Sequence, residues 1–333
     1  MSTPQLIHLI KIKQSLKMLI ALSIIGGFII LTLGAEALVR GASSIALRLG
    51  ITPLIIGLTI VAFGTSAPEL AVSVKSALAG NSGIALGNVI GSNIANIGLI
   101  LAITALIRPI QVQSQIVKRD IPLMILASML FWGLLLDGEL SLIDGVVLLS
   151  LLVGYLVFSY ISSKNTKDAD AEAIEEGPKN PLLSILFILV GISMLVGGGI
   201  LFVNGAVDLA KTFGVSEVII GLTIVAIGTS MPELVTSVLA ALKGESDIAI
   251  GNVVGSNLFN ILGILGVTAI VHPVSALGFQ SFDFTVMLAL AVVILPFAWT
   301  GLRIGRREGA VLLLSYLGYM GYLVNQASMQ SLV

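Results

Sequence analysis

Two motifs occur twice in this chain at one fixed spacing. Gly64-Thr65-Ser66-Ala67-Pro68-Glu69 returns as Gly228-Thr229-Ser230-Met231-Pro232-Glu233. Gly87-Asn88-Val89-Ile90-Gly91-Ser92-Asn93-Ile94-Ala95-Asn96 returns as Gly251-Asn252-Val253-Val254-Gly255-Ser256-Asn257-Leu258-Phe259-Asn260. Subtracting 65 from 229, 69 from 233 or 96 from 260 gives 164 each time. Between Ile51 and Ile110, more than half of the positions match their partners between Val215 and Val274 without a gap. A duplication this long means that the fold is built from two copies of one unit.

Composition identifies the solvent that unit meets. The chain has 333 residues, 56% of them hydrophobic and 11% charged, against about 25% charged in a soluble domain. Apolar runs long enough to cross a bilayer, roughly 20 residues, recur at about 18–39, 51–79, 84–107, 119–136 and 141–162, then at about 182–210, 215–242, 248–271, 282–301 and 309–325. The first run is too long for a signal-peptide core and lacks a small-residue cleavage pattern. The stretch from Ser162 to Asn180 is polar, rich in Lys, Asp and Glu, and ends at Pro181, as a linker between two units does. The expected fold is an all-α polytopic membrane protein of about ten transmembrane helices. Residues 1–161 form a first five-helix repeat, 162–180 a linker, and 181–333 a second five-helix repeat. An odd number of spans per repeat makes the second copy enter the membrane from the opposite side. The result is the inverted-repeat architecture of secondary transporters, whose substrate sites lie at the midplane.

Basic residues suggest an orientation. With the amino terminus outside, inward connections carry Arg40, Arg48, Arg108, Lys118, Arg119, Lys164, Lys167, Lys179, Lys243, Arg303, Arg306 and Arg307. Outward ones carry Lys11, Lys13, Lys17, Lys75 and Lys211. The excess places the 162–180 linker in the cytoplasm, although the basic amino-terminal tail dissents. A net charge of −1 argues against a nucleic-acid partner. The chain has no cysteine, and its two histidines, His8 and His272, lie far apart and outside the motifs, which disfavours a thiolate or imidazole metal centre.

The duplicated motifs carry the chemistry. Glu69 and Glu233 fall near the centres of spanning segments, where an ionised carboxylate costs at least a few kcal/mol and its default reading is functional. Pro68 and Pro232 cannot donate helical bonds to the carbonyls of Gly64 and Gly228, so the helix must kink or open there. Carbonyls freed at membrane depth are tolerated only where protein, water or an ion satisfies them. Thr65 and Ser66, with Thr229 and Ser230, add hydroxyls beside each break. Asn88, Ser92 and Asn96 recur every fourth residue and line one side of a helix, as do Asn252, Ser256 and Asn260. Ser92, Asn96, Ser256 and Asn260 are assigned toward the acids. For Asn88, Asn93, Asn252 and Asn257, scaffold and ligand roles stay equally open. Glycines at 87, 91, 251 and 255 let another helix approach closely. An all-oxygen donor set with two carboxylates suits calcium, which takes about six to eight oxygens. It suits magnesium less well and softer metals poorly. The two negative charges balance one divalent or two monovalent cations, so ion loading neutralises the pair and permits a switch between access states. Protonation is an alternative way to do so.

These residues resemble the cation/calcium exchanger superfamily, specifically prokaryotic sodium/calcium exchanger-like proteins. The resemblance spans nearly the whole chain, with both so-called alpha repeats, 51–110 and 215–274, in the expected order. It implies that Glu69 and Glu233 are the principal cation ligands. It also implies contributions from Thr65, Ser66, Ser92 and Asn96, and from Thr229, Ser230, Ser256 and Asn260. It further implies that the first helix of each half forms a mobile pair that slides against the rest. Some family members carry an acid at one of the two positions occupied here by Asn96 and Asn260. This chain has amides at both, which leaves stoichiometry and electrogenicity open.

The expected function is calcium/sodium antiport in a prokaryotic inner membrane. The transported ions bind transiently, no cofactor is required, and a monomer is the default assembly. Alternatives are coupling to protons or transport of another cation on the same scaffold, and more remotely a channel. An enzyme is disfavoured because no Ser-His or paired-Asp arrangement is visible. The acids from Asp168 to Glu176 are taken as a solvated linker. Those at Asp137, Glu139 and Asp144 are a weak candidate for attracting cations. Glu36 is assigned an i,i+4 pair with Arg40. Trp132 and Trp299 are assigned as interfacial anchors.

Overall fold

The computed structural model describes residues 3–165, 180–213, 226–276 and 281–330. In the first half, α1 (Thr3–Leu49) leads to a broken pair, α2 (Pro53–Thr65) and α3 (Ala67–Leu78). Then come α4 (Ser82–Ile107), α5 (Ile116–Asp137) and α6 (Leu142–Asn165). The second half contains α7 (Pro181–Thr212), α8 (Ala226–Thr229) and α9 (Met231–Lys243), followed by α10 (Ser246–Val271), α11 (Ser281–Trp299) and α12 (Arg306–Gln330). Seven described helices are long and apolar enough to cross a membrane, or eight if the bent α2–α3 pair is one span. The chain is thus an all-α polytopic membrane protein. The expected count of about ten is not reached by that measure. Helix α12 is long enough, but Tyr316, Tyr319, Tyr322, Asn325 and Gln326 dilute its apolar content. Part of the 215–242 span lies outside the described residues, as does most of the 162–180 linker with its acidic cluster.

Helix α1 runs ten residues past the end expected at 39. Arg40 does not interrupt it, because its guanidinium pairs with Glu36 one turn back. Gly50, in the left-handed region at φ 62°, stops the helix.

The two halves are related by an approximate two-fold axis. Helices α1 and α7 are repeat partners and pack antiparallel along matching glycines. Gly27, Gly34 and Gly41 recur every seven residues, and adding 164 gives Gly191, Gly198 and Gly205. A Cβ on Gly191 would sit 2.8 Å from the Gly34 carbonyl oxygen, and one on Gly198 would sit 3.0 Å from the Gly27 carbonyl oxygen. Only glycine lets the two backbones meet this closely. The same axis relates two short antiparallel ladders. Strand β1 (Ile110–Gln111) pairs with β4 (Arg303–Ile304), and β2 (Glu139–Leu140) pairs with β3 (Val274–Ser275). Each ladder joins one half to the other.

Helices α4 and α10, which carry the asparagine motifs, form the centre. Their apolar windows are 72% and 89% buried, against 28% for α1 and α7. Gly251 and Gly255 let α2 lie against α10, as their spacing suggests: added Cβ atoms would fall 2.9 Å from the Leu54 carbonyl oxygen and 2.7 Å from that of Leu58. Tyrosine–aspartate bonds tie the last two helices of each half. Tyr155 donates to Asp120 at 3.3 Å and Tyr319 to Asp283 at 2.8 Å. Trp299 is exposed at a helix end, as an interfacial anchor would be. Trp132 instead stacks on Phe284 at 5.8 Å and is half-buried, because α11 packs against α5 at that level.

Candidate functional site

Each GTS-x-PE motif makes a break between two helices rather than a kink inside one. Ser66 (φ −82°, ψ 6°) separates α2 from α3, and Ser230 (φ −89°, ψ 10°) separates α8 from α9. Pro68 and Pro232 take the second position of the following helix, where a missing N–H breaks no intrahelical bond. Helices α2 and α3 diverge by 46°. Glu69 and Glu233 therefore occupy the first turn of α3 and α9, not a helix centre. There the partial positive charge of the helix end favours a carboxylate.

The breaks face each other across the two-fold axis. Ser66 Oγ donates to Glu233 Oε1 at 3.1 Å, and Ser230 Oγ donates to Glu69 Oε1 at 3.2 Å. Each half thus binds the other half's acid. Thr65 and Thr229 immediately precede these serines and lie beside the same two acids. Both carboxylates are only 1% exposed and lie within electrostatic reach of each other. Ser92 Oγ is 3.2 Å from Ser230 Oγ, and Ser256 Oγ is 3.5 Å from Thr65 Oγ1.

Amides from α4 and α10 brace the breaks. Asn88 Nδ2 donates to the Glu69 carbonyl at 3.0 Å and to Ser73 Oγ at 2.9 Å. Asn252 Nδ2 donates to the Glu233 carbonyl at 3.3 Å and to Ser237 Oγ at 2.9 Å. Asn252 Oδ1 also accepts from Thr65 at 3.1 Å, which couples one repeat's break to the other's central helix. Asn96 and Asn260 lie in π-helical turns, Asn96–Leu101 and Phe259–Ile264. Such wide turns shift a helix face by a fraction of a turn and are common at functional sites. Asn96 Nδ2 donates to Asn257 Oδ1 at 2.9 Å, which fixes how its amide is turned.

Within the duplicated motifs, five buried oxygens accept nothing from the protein: Glu69 Oε2, Glu233 Oε2, Asn96 Oδ1, Asn260 Oδ1 and Asn93 Oδ1. The first four form two repeat-equivalent pairs. An unsatisfied buried acceptor costs about 1–3 kcal/mol, and more when charged. Two carboxylate and two amide oxygens, flanked by hydroxyls, are donors for a hard cation such as sodium or calcium and not for a soft metal.

The structure therefore brings eight of the ten residues assigned from the motifs together at the two breaks, while Asn96 and Asn260 sit in π-helical turns that pack against α9 and α3 respectively. It gives Asn88, Asn252 and Asn257 bracing bonds, as a scaffold role requires. Asn93 Nδ2 turns back to its own helix, bonding the Val89 carbonyl at 2.9 Å. Ser73 and Ser237 escaped the sequence reading, although they too are 164 apart. Asp144 is a helix cap: it accepts from the Ser141 N–H at 2.8 Å and hydroxyl at 2.7 Å. Among the described residues, no cluster of three or more His, Cys, Asp or Glu is arranged to hold a metal.

Comparison with known proteins bears on what passes through this site. The family model for the sodium/calcium exchanger protein matches residues 19–161 and again 183–325, two segments offset by 164. Over 305 residues the chain is 42% identical to CaxA of Alkalimonas amylolytica, a protein that carries an antiporter name; the match covers 88% of this chain and 95% of that one. It is 35% identical over 336 residues to the sodium/calcium exchanger MaX1 of Methanosarcina acetivorans, with the same two coverages. The crystal structure of the sodium-calcium exchanger NCX_Mj soaked with sodium and strontium superposes with a TM-score of 0.80 at 33% identity. That superposition covers 91% of this chain and 98% of NCX_Mj.

Proposed function

The chain belongs to the sodium/calcium exchanger family, and from that premise we propose that it exchanges calcium for sodium by alternating access, holding the ions between Glu69 and Glu233. The observation that carries this reading is the set of four buried oxygens without a donor, Glu69 Oε2, Glu233 Oε2, Asn96 Oδ1 and Asn260 Oδ1. A cation supplies what these atoms lack, and it is the cargo, not a resident cofactor. Thr65, Ser66, Thr229, Ser230, Ser92 and Ser256 complete the donor set, with Ser66 bonding the second repeat's acid and Ser230 the first's.

The physical logic of exchange follows from burial. Two carboxylates sealed from water and near each other make an empty site costly to carry between access states. Either one calcium or two sodium ions cancel their charge. Uncompensated leak is thereby disfavoured, and flow of one ion is tied to counterflow of the other. This separates a carrier from a channel. We place the amino terminus outside and the 162–180 linker in the cytoplasm of a prokaryotic inner membrane, with the monomer as the transporting unit. The family is one of exchangers, and we read this chain as a transporter rather than an enzyme.

The test is calcium-45 uptake into proteoliposomes loaded with sodium, beside vesicles holding only a pH gradient. Uptake that needs the sodium gradient and disappears in Glu69→Gln and Glu233→Gln is the expected result. Uptake driven only by the pH gradient assigns the coupling ion as the proton. Calcium flow that needs no opposing ion makes the protein a channel. No uptake under any condition removes calcium as the cargo.

A further inference from the structure

The serine–glutamate bonds at the site obey the two-fold axis, but the contacts at the α1 end are not repeated at the equivalent positions of α7. At the end where α1 terminates, α1 packs along α9. Toward that end of α1, Leu38, Val39, Ala42, Ser43 and Ala46 are all buried, Leu38 in part against Gly191 of α7. Adding 164 to their numbers reaches Phe202, Val203, Ala206, Val207 and Ala210 on α7. The first four of these are only half-buried. No comparable packing of α7 on α3 occurs among the described residues. Among the described residues, α1 is packed more closely at its end than α7 is at its own.

Polar contacts reinforce the shut end. Lys243 Nζ, at the end of α9, pairs with Glu36 of α1, and both side chains are largely sheltered, 15% and 28% exposed. Two turns further along α1, Ser43 Oγ donates to Glu245 Oε2 at 2.9 Å, and both residues are buried. The repeat partners of Glu36 and Ser43 are Ile200 and Val207, and those of Lys243 and Glu245 are Ala79 and Asn81. None carries a charge, so the repeat does not duplicate this ion pair at the equivalent positions.

We propose that Glu36, Lys243, Ser43 and Glu245 are gate residues of the transport cycle, forming a one-sided latch that holds the α1 end shut and makes the conformer open at the opposite end the resting state. This rests on the alternating-access reading above, in which α1 and α7 move together against the remaining helices. The latch is built to be reversible. Arg40 also pairs with Glu36 from within α1, so Glu36 keeps a partner when Lys243 separates from it. A buried acid left with no partner would make separation far costlier. With the amino terminus outside, the latched end faces the cytoplasm, and the resting exchanger waits for ions from outside.

The chain contains no cysteine, so single probes can be placed without background. Val39→Cys reports the latched end and Val203→Cys, its repeat partner, reports the other. Their reaction rates with a water-soluble maleimide are measured on purified protein. Val203→Cys is expected to react faster than Val39→Cys. Adding Lys243→Gln should raise the Val39→Cys rate about tenfold, as loss of one charge-assisted contact implies, and lower that of Val203→Cys. Lys243→Arg should keep the parent rates. If Lys243→Gln fails to fold, Ser43→Ala serves instead with a smaller change in the same direction. Unchanged rates in both variants, or a Val39→Cys probe that is the faster one at the outset, overturn the latch. Labelling needs no transport, so a missing calcium-45 signal in the parent protein refutes the exchanger reading separately.

Discussion

At the residue scale, the site depends on which atom of each side chain is committed and which is left over. Glu69 and Glu233 each spend one carboxylate oxygen on a serine of the other repeat and keep one. Glu69→Gln removes the charge and replaces one acceptor by a donor pair aimed at the ion. Calcium uptake is expected to fall by about 100-fold or more, since a cation loses both charge balance and a ligand, while the purified variant elutes and melts like its parent. Asn257 acts one bond further out. It holds the Asn96 amide so that Nδ2 is occupied and Oδ1 is presented. Asn257→Ala should raise the calcium concentration for half-maximal uptake by about tenfold, the usual scale for losing a bond that orients a metal ligand. Asn93→Ala should do less, because the Asn93 amide bonds its own helix. Site membership was legible because it is duplicated. The division of labour among the asparagines was not: Asn93 and Asn257 are repeat partners at the same place in the GSN-x-x-N motif, and the packing of α4 against α10 gives them different partners.

At the scale of elements, the break and the glycine seam do the positioning. Proline in each motif announces a kink or an opening, with the glutamate near the centre of the spanning segment. The structure ends one helix at a serine and begins another, because proline is excluded from a helix interior yet fits the first turn. That puts each carboxylate at a helix amino terminus. The α1–α7 seam, with three glycines per helix at seven-residue spacing, passed unread. Its signal, the same 164 offset, was present outside the better-matched motifs. A Cβ on Gly34 would meet the Leu195 backbone nitrogen at 2.9 Å and Met194 Cβ at 2.8 Å. Gly34→Val should therefore destabilise by about 1–3 kcal/mol through overpacking, seen as a lower melting temperature in detergent. Gly197 is on the same face-to-face pair of helices but meets nothing within 4 Å. Gly197→Ala should be neutral or stabilising by up to about 1 kcal/mol.

At the scale of the whole molecule, the two halves are joined both at the centre and at the ends. The cross-repeat serine–glutamate bonds join them at the site, and the β1–β4 and β2–β3 ladders join them at the periphery. The ladders connect helices α4, α5, α6, α10, α11 and α12, none of which belongs to the α1–α7 pair. If that pair is the moving part, locking a ladder should not stop exchange. A Gln111→Cys/Arg303→Cys variant joins residues paired across β1 and β4, within disulfide reach for an antiparallel ladder. Oxidation should cross-link it quantitatively and leave calcium-45 exchange close to the reduced rate. A cross-linked protein without exchange would mean that the peripheral helices move as well.

The sequence by itself determined that this chain lives in a bilayer, that its fold repeats, and that two acids with their hydroxyl and amide neighbours belong to one site. Composition, apolar run length and a constant offset are local or one-dimensional properties, and they survive without coordinates. Only the tertiary structure decided how the halves meet. It set Ser66 against Glu233 and Ser230 against Glu69, left Glu69 Oε2, Glu233 Oε2, Asn96 Oδ1 and Asn260 Oδ1 without donors, and paired Lys243 with Glu36. Those outcomes depend on contacts between residues far apart along the chain, and no pattern along it says which of them will meet.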